Sequence, residues 1–181
     1  MVTIIFETHG TSLDNEAGTA SGHHDVELSA LGKRQAAELG SRYRNAELAA
    51  VFCSDLQRSY ATGEIAFAGR NVPVIRDNRL RECDYGKFAG RERAVVDREL
   101  PSRISEPFPE GESYEQSAER MKSFLSNLLR DYDGKTVMII GHRATQYGLE
   151  HWINEQPLEI AIAAQWRWQP GWTYHLAGLR S

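Results

Sequence analysis

The chain has 181 residues, of which 41% are hydrophobic and 25% charged, and its formal net charge is −4 at pH 7. This length fits one compact domain over residues 1–181, and the composition is ordinary for a globular protein. The mild negative charge argues against a nucleic-acid partner. No run of residues is long and apolar enough to cross a membrane, and the opening apolar run is too short for a secretory signal. We therefore expect a cytoplasmic protein.

The first half of the chain alternates strand and helix patterns. Val2 to Phe6 is a short β-rich apolar run, which predicts a buried strand. A polar segment from His9 to Glu27 follows, and Ser29 is then typical of a helix N-cap, with apolar residues at helical spacing to about Asn45. The next predicted elements are a strand from Ala49 to Cys53, a helix capped by Ser54 or Asp55 and running through Phe67, and a strand from Val72 to Ile75.

The second half contains a long irregular stretch and another strand and helix. Residues 80 to 112 predict mostly loop, with a short helix around Ala94 to Leu100. Ser113 predicts the start of a longer helix that Gly134 ends. Thr136 to Ile140 predicts a fourth strand, and a helix is expected from about Ala144 to Asn154. In the tail, alternating aromatic residues around Pro170-Gly171 predict a closing hairpin: Trp166, Trp168, Trp172 and Tyr174.

Strands that alternate with helices predict an α/β fold, a three-layer sandwich whose mostly parallel central sheet is covered by helices on both faces. In such sheets, ligands bind at the carboxyl ends of the strands. Two strands deliver a histidine beside a glycine to that edge, at His9-Gly10 and at Gly141-His142. Arg58 lies one turn into a helix whose N-terminus faces the same edge, and helix N-termini attract phosphate. The sequence therefore favours a phosphoryl site there, with a structural role for each histidine as the alternative.

Ordered motifs from residue 8 to residue 142 resemble those of the histidine phosphatase superfamily, which has the phosphoglycerate-mutase-like fold. The family's opening Arg-His-Gly with a downstream asparagine is similar to Thr8-His9-Gly10 leading to Asn15. Gly141-His142 is similar to the segment of the second family histidine. Further segments are similar to the remaining family motifs: Ser21-Gly22 with Asp25, Leu28 to Gly32, Ser54 to Thr62 around Arg58, Leu80-Arg81-Glu82 with Gly86 and Gly90, and Gly111-Glu112-Ser113.

The resemblance implies a phosphomonoester phosphatase that acts on a small phosphorylated metabolite through a phosphohistidine intermediate. It implies that His9 is the nucleophile and that Glu82 is the general acid and then the general base. Arg58 and His142 would hold the phosphoryl oxygens. Further residues would line the phosphate and substrate mouth: Gly10, Asn15, Ser21 and Gly22. No metal ion and no organic cofactor are implied. The expected partner is a small-molecule phosphate ester, and a homodimer is compatible with the sequence.

Two residues depart from the family pattern. Thr8 stands where the family carries arginine, which removes a bidentate phosphate contact worth about 1.5–3 kcal/mol. Arg143 follows His142, where the family usually has a small residue, and we hypothesise that its guanidinium binds phosphate in compensation. In the alternative interpretation, Arg143 points into solvent or pairs with Glu7 or Glu150.

Two other functions stay open from the sequence. One is a catalytically weak or inactive family member that binds a phosphorylated ligand. The other is a phosphoglycerate mutase, which is less favoured because mutases of this family carry longer insertions around the substrate. The residues that determine substrate choice are expected in the segment 84–112, which carries no motif that indicates a particular substrate.

Overall fold

The computed structural model describes residues 1–164 and 167–180. Its strands are β1 (Val2–Thr8), β2 (Ala50–Cys53), β3 (Val74–Arg76), β4 (Thr136–Gly141) and β5 (Trp172–Leu176). Its α-helices are α1 (Leu13–Ala17), α2 (Ala30–Arg42), α3 (Gln57–Ala66), α4 (Arg93–Glu99), α5 (Tyr114–Asp131), α6 (Arg143–Trp152) and α7 (Leu158–Ala163). Short 3-10 helices cover Asn78–Leu80, Gly86–Phe88 and Leu100–Arg103. None of the helices in this described part has the length and apolar character needed to cross a membrane.

The strands form one five-stranded sheet in the order β3-β2-β4-β1-β5. The pairs β2–β3, β2–β4 and β1–β4 are parallel, and only β5 runs antiparallel, along β1. In the central pair, Thr8 of β1 lies opposite Gly141 of β4. The carboxyl ends of these strands are therefore adjacent, so the residues that follow them, His9 and His142, emerge side by side.

Alternate residues of the central strands pack against helices on opposite faces of the sheet. On one face, Val51 and Met138 pack with Leu39 of α2 and with Phe67, which follows α3. On the other face, the apolar side of α5 covers Ile4, Phe6 and Ile139, and the α5 residues that bury there are Met121, Phe124, Leu125 and Leu128. Each such buried side chain stabilises the fold by about 1.5–3 kcal/mol relative to its exposed state. The predicted three-layer α/β architecture is confirmed.

Side-chain caps fix where several helices begin. Ser29 accepts a hydrogen bond from the backbone N–H of Gly32, and Ser113 accepts one from Gln116, so both predicted N-caps are confirmed. The predicted cap of α3 is wrong, because Leu56 occupies the N-cap position and makes no side-chain cap. Ser54 and Asp55 are used elsewhere, by His142 and Arg81 respectively. The carboxylate of Asp25 accepts from the N–H of Gln57 at 2.6 Å and caps α3 from another segment.

The remaining differences from the predicted elements concern short or terminal pieces. Helices α1 and α7 were not predicted, α2 ends at Arg42 rather than near Asn45, and β3 begins at Val74 rather than Val72. The predicted hairpin is wrong for residues 167–176, because β5 pairs with β1 and residues 167–171 form no strand. In this pairing, Tyr174 lies opposite Ile4 of β1 and Trp172 lies opposite Phe6. Trp166 lies outside the described residues.

Candidate active site

A cavity of about 710 Å³ opens at the carboxyl ends of β1 and β4. This volume lies in the range of small-molecule sites. Six of the nine predicted site residues line it: His9, Gly10, Asn15, Glu82, His142 and Arg143. The sheet topology therefore brings together residues that are more than a hundred positions apart in the chain.

His9 is half-buried at the end of β1 and has a defined tautomer. Its Nδ1 lies 2.6 Å from the carbonyl oxygen of Gly10. A carbonyl can only accept, so Nδ1 carries the proton and Nε2 carries the lone pair in the neutral ring. Burial, and after it the positive charge of Arg58, lowers the pKa of His9 to about 3. His9 is therefore neutral at physiological pH and presents an unprotonated nitrogen.

His142 occupies the N-cap position of α6, with its ring centroid 4.9 Å from that of His9. Its Nε2 lies 2.7 Å from the Ser54 hydroxyl, and Nδ1 is buried without a hydrogen-bond partner among the described residues. The Ser54 oxygen already accepts weakly from the N–H of Leu56 at 3.4 Å. We assign the donor role in this hydrogen bond to the Ser54 hydroxyl, which places the proton of His142 on Nδ1. Burial, Arg58 and His9 lower the pKa of His142 well below its ordinary value.

Arg58 is 2% exposed and lies behind the cavity wall rather than on it. Its guanidinium donates to the carbonyl oxygens of Gly22 at 2.7 Å and His24 at 2.9 Å. Burial lowers the pKa of Arg58, but a guanidinium stays charged in proteins. Its charge reaches both histidines, because it lowers the pKa of each.

Glu82 is 6% exposed and lines the cavity beside α6. Its Oε1 accepts from the backbone N–H of Cys83 at 2.9 Å and of Ala144 at 3.1 Å. Its Oε2 has no hydrogen-bond partner in the part of the chain that the structure describes. The backbone carbonyl of Glu82 accepts from His23 and Arg120, which fixes the loop. One carboxylate oxygen is therefore held in place and the other is available to a ligand.

Asn15 and Gly10 lie on the wall beside His9. The Oδ1 atom of Asn15 accepts from the N–H of Ser12, and its amide nitrogen has no partner within residues 1–164 and 167–180. The N–H of Gly10 is already donated to the hydroxyl of Thr62 at 3.0 Å. A Cβ atom at Gly10 would lie 2.5 Å from the carbonyl oxygen of Gly32, so only glycine allows α2 to approach this closely. Asn15 thus offers its side-chain amide N–H groups to a ligand in the cavity, whereas the missing side chain of Gly10 makes room for α2.

Ser21 and Gly22 do not form part of the described cavity wall. Ser21 is buried, and Gly22 has a left-handed backbone with φ 53° that turns its carbonyl oxygen to Arg58. The structure therefore does not place these two residues on the wall, and Gly22 instead holds Arg58 in position.

Arg143 does line the cavity, but its ion-pair partner differs from those predicted. Its guanidinium lies 3.1 Å from Oδ1 of Asp97, a residue of α4, rather than beside Glu7 or Glu150. Helix α4 belongs to the segment 84–112, in which the sequence shows no motif for a particular substrate. Arg143 therefore contacts that segment directly. Neither Asp97 nor this connection was visible in the sequence.

Sequence reasoning also missed other residues of the wall. Arg93, the first residue of α4, lines the cavity. Ser54 lies outside the wall and hydrogen-bonds His142. The cavity is also lined by Glu7 and by residues of α2 and the tail: Gln35, Glu38, Leu39, Arg42 and Trp168. Burial raises the pKa of Glu7, whose carboxylate accepts from the Tyr43 hydroxyl. Among the described residues, no three His, Cys, Asp or Glu side chains group so as to hold a metal ion.

Comparison with known proteins finds relatives in sequence and in fold. The model of the histidine phosphatase superfamily (branch 1) matches residues 4–169. The chain is 32% identical to phosphoserine phosphatase 1 of Hydrogenobacter thermophilus over 151 residues, which cover 78% of this chain and 71% of that protein. It is 30% identical to the protein named "Probable phosphoglycerate mutase GpmB" of Proteus mirabilis over 154 residues, 78% of this chain and 70% of that one. The solved structure of YhfR from Bacillus stearothermophilus has the same fold, with a TM-score of 0.84 at 23% identity, covering 98% of this chain and 96% of that one.

Proposed function

The chain belongs to the histidine phosphatase superfamily and is a phosphatase of that type, and from this premise we propose that His9 carries the phosphoryl group from a small phosphate ester to water. One observation carries the proposal. The neutral His9 ring lines the cavity with its proton held on Nδ1 by the Gly10 carbonyl, so that Nε2 keeps its lone pair. A nitrogen in this state is a nucleophile without first losing a proton.

In the first step, Nε2 of His9 attacks phosphorus, a P–N bond forms, and the P–O bond to the alcohol breaks. Glu82 donates a proton to the departing oxygen through its carboxyl group. The Oε2 atom suits this role because Oε1 is engaged by two backbone N–H groups. The products of this step are phosphohistidine, the free alcohol and the Glu82 carboxylate.

In the second step, water attacks the phosphorus of phosphohistidine and the P–N bond breaks. The Glu82 carboxylate takes the proton that the water loses, and the electron pair of the P–N bond returns to Nε2. Phosphate leaves, and His9 is again a neutral ring. Every group is restored, and neither step requires a co-reactant other than water.

The charge that accumulates on the phosphoryl oxygens needs donors that are already in position. We assign this role to Nδ1–H of His142, the amide nitrogen of Asn15 and the charge of Arg58. The first two donors have no protein partner among the described residues, and both residues line the cavity with His9. Donors that are fixed before the substrate arrives need no reorganisation during the reaction.

Arg143 adds a fourth contribution to this set. It lines the same cavity as Thr8 and reaches it from the neighbouring strand end. We propose that its guanidinium binds the substrate as part of the compensation for the arginine that is missing at position 8. Asp97 holds that guanidinium at 3.1 Å, so it is positioned before the substrate binds.

The test of the nucleophile is a quenched reaction with radiolabelled p-nitrophenyl phosphate. We expect a labelled protein whose label is stable in base and lost in acid, as for a phosphoramidate. His9→Ala should abolish both the label and turnover. His175→Ala is the matched control, since His175 is exposed on β5 and outside the cavity wall. Label that persists in His9→Ala would show that another residue is the nucleophile.

A panel of small phosphate esters then measures which alcohol the cavity prefers. Phosphoserine and phosphoglycerate are the first two members, because two relatives carry those names. A phosphatase releases inorganic phosphate from the substrate, whereas a mutase returns an isomeric ester. Detection of the products therefore separates these two activities directly.

A further inference from the structure

Helix α4 begins against the part of the chain that follows α1. The backbone N–H of Arg93 donates to the carbonyl oxygen of Gly18 at 2.8 Å, and Ala20 donates to that of Arg91 at the same distance. Thr19 forms an isolated β-bridge with Glu92. These three contacts fix the first residue of α4 against the segment that also carries Asn15. The side chain of Arg93 is thereby held at the cavity wall.

The guanidinium of Arg93 makes few hydrogen bonds for its degree of burial. Its side chain is 30% exposed, its NH1 lies 3.5 Å from the Tyr85 hydroxyl, and its separation of 3.8 Å from Asp97 exceeds a hydrogen bond. By contrast, Arg58 and Arg120 each make at least two hydrogen bonds of 2.9 Å or less. A guanidinium has five N–H donors, so most donors of Arg93 are available to a ligand in the cavity.

Arg93 and Arg143 approach the same carboxylate oxygen. Oδ1 of Asp97 lies 3.1 Å from Arg143 and 3.8 Å from Arg93. One carboxylate, that of Asp97, is therefore shared between two guanidinium groups. The shorter contact engages Arg143 with Asp97, whereas the longer one leaves Arg93 able to turn towards an anion. The charge of Arg93 also contributes, after burial and Arg58, to the lowered pKa of His9, which indicates that it lies near the nucleophile.

We propose that Arg93 binds an oxygen of the transferred phosphoryl group and, together with Arg143, compensates for the guanidinium contact that position 8 lacks. This inference rests on the proposed function of the same cavity. The anion is the phosphoryl group rather than a second charged group on the alcohol, because Arg93 is docked against the segment that carries Asn15 and lines the same wall as Asn15 and His9. The segment 84–112 then contributes to phosphoryl binding and not only to substrate choice.

The experiment measures the affinity for inorganic phosphate and for vanadate by calorimetry, together with the kinetics of p-nitrophenyl phosphate. Neither the two ions nor this substrate carries a second anionic group. Arg93→Ala should weaken binding of both ions and lower kcat/KM by about 10- to 100-fold, the range for one charge-assisted contact. The phosphate affinity and kcat/KM of Arg93→Lys should fall between those of the parent and of Arg93→Ala, because lysine keeps the charge but not the planar guanidinium. Arg98→Ala, an exposed arginine on the same helix, is the control and should match the parent.

The rescue variant tests the link to position 8. Adding Thr8→Arg to Arg93→Ala should recover most of the lost phosphate affinity, because an arginine at the end of β1 reaches the same phosphoryl group. If Arg93→Ala leaves the affinity for phosphate and vanadate unchanged, the inference is overturned. It is equally overturned if only phosphoserine turnover falls, since Arg93 would then bind the alcohol. A larger loss in Arg143→Ala than in Arg93→Ala would assign the phosphoryl contact to Arg143 instead.

The binding measurement also separates this inference from the proposed function. Phosphate affinity requires no turnover, so it can be measured in a protein that forms no phosphohistidine. Absence of labelled His9 in the parent would refute the mechanism while a loss of phosphate affinity in Arg93→Ala still supported the binding role. Circular dichroism and thermal melting of each variant identify any loss that comes from unfolding, and Arg93→Lys provides the second variant for that case.

Discussion

Removal of the Ser54 hydroxyl should impair hydrogen-bond donation by His142 without changing any residue of the cavity wall. The hydroxyl lies 2.7 Å from Nε2 of His142, and both side chains are buried. In Ser54→Ala, Nε2 loses its donor, and the proton of His142 is no longer confined to Nδ1. The ring can then present a lone pair, rather than a proton, to the phosphoryl oxygens.

The magnitude has two parts. A buried polar atom that loses its hydrogen bond costs about 1–3 kcal/mol of the free energy of unfolding. Loss of a positioned oxyanion donor costs about 100- to 1,000-fold in kcat when the donor is deleted outright. Because His142 remains in Ser54→Ala and holds the correct tautomer part of the time, we expect a smaller decrease in kcat of about 10- to 100-fold.

Ser59 provides a matched control for this prediction. It is equally buried, donates to the carbonyl oxygen of Ile140 at 2.7 Å and accepts from the N–H of Ser54 at 3.0 Å. Ser59→Ala should therefore cost a similar free energy of unfolding, measured in urea, but should leave the tautomer of His142 unchanged. Nitrogen chemical shifts of His142 report that tautomer. Equal kcat values for the two variants, with an unchanged His142 spectrum in Ser54→Ala, would refute the reasoning.

Two further predictions concern Glu82 and pH. Glu82→Gln should slow the hydrolysis of alkyl phosphates far more than that of p-nitrophenyl phosphate, whose leaving group needs no proton; equal losses in kcat/KM would mean that Glu82 only positions the substrate. The free energy of unfolding should fall as the pH drops below 6.5, the ordinary histidine pKa, because burial lowers the pKa of His9 to about 3 and that of His142 well below its ordinary value. The unfolded chain then binds up to two more protons than the folded chain, so stability rises with pH across this window by up to about 2.7 kcal/mol per unit. Glu7, whose pKa burial raises, binds a proton in the folded chain and offsets part of this rise. Urea unfolding between pH 4.5 and 6.5 should show the remaining increase, and His9→Asn should lower the slope by up to about 1.4 kcal/mol per unit; an unaltered slope in that variant would contradict the assignment.

The fold was predictable from the sequence wherever an element was long enough to show a period. The apolar runs that became β1, β2 and β4 end where the structure ends them to within a residue or two, and Ser113 marks the start of α5 as predicted. Helix α1 escaped prediction because it has five residues and buries none of them. Helix α7 has six residues, which is too few to establish a helical pattern.

The candidate site was predictable only for residues that lie in motifs. His9, Glu82 and His142 stand at recognisable strand ends or loops, and all three line one cavity. The roles of Ser54 and Arg93 depend on which segments pack together, and no local pattern encodes that. Ser54 has the features of a helix cap, yet its hydroxyl is used by a histidine 88 residues away.

Phosphate binding by Arg93 instead of an arginine at position 8 would involve a different part of the fold. An arginine at position 8 would extend from β1, which pairs with a strand on each side and is part of the core. Arg93 extends instead from a helix of seven residues that is docked by backbone contacts to Gly18, Thr19 and Ala20. If the phosphoryl group binds Arg93, its binding free energy also favours the docked position of that helix, since a ligand stabilises the state to which it binds. Binding of the phosphoryl group and docking of the segment 84–112 are then thermodynamically coupled. An arginine at position 8, on the sheet, would bind phosphate without this coupling.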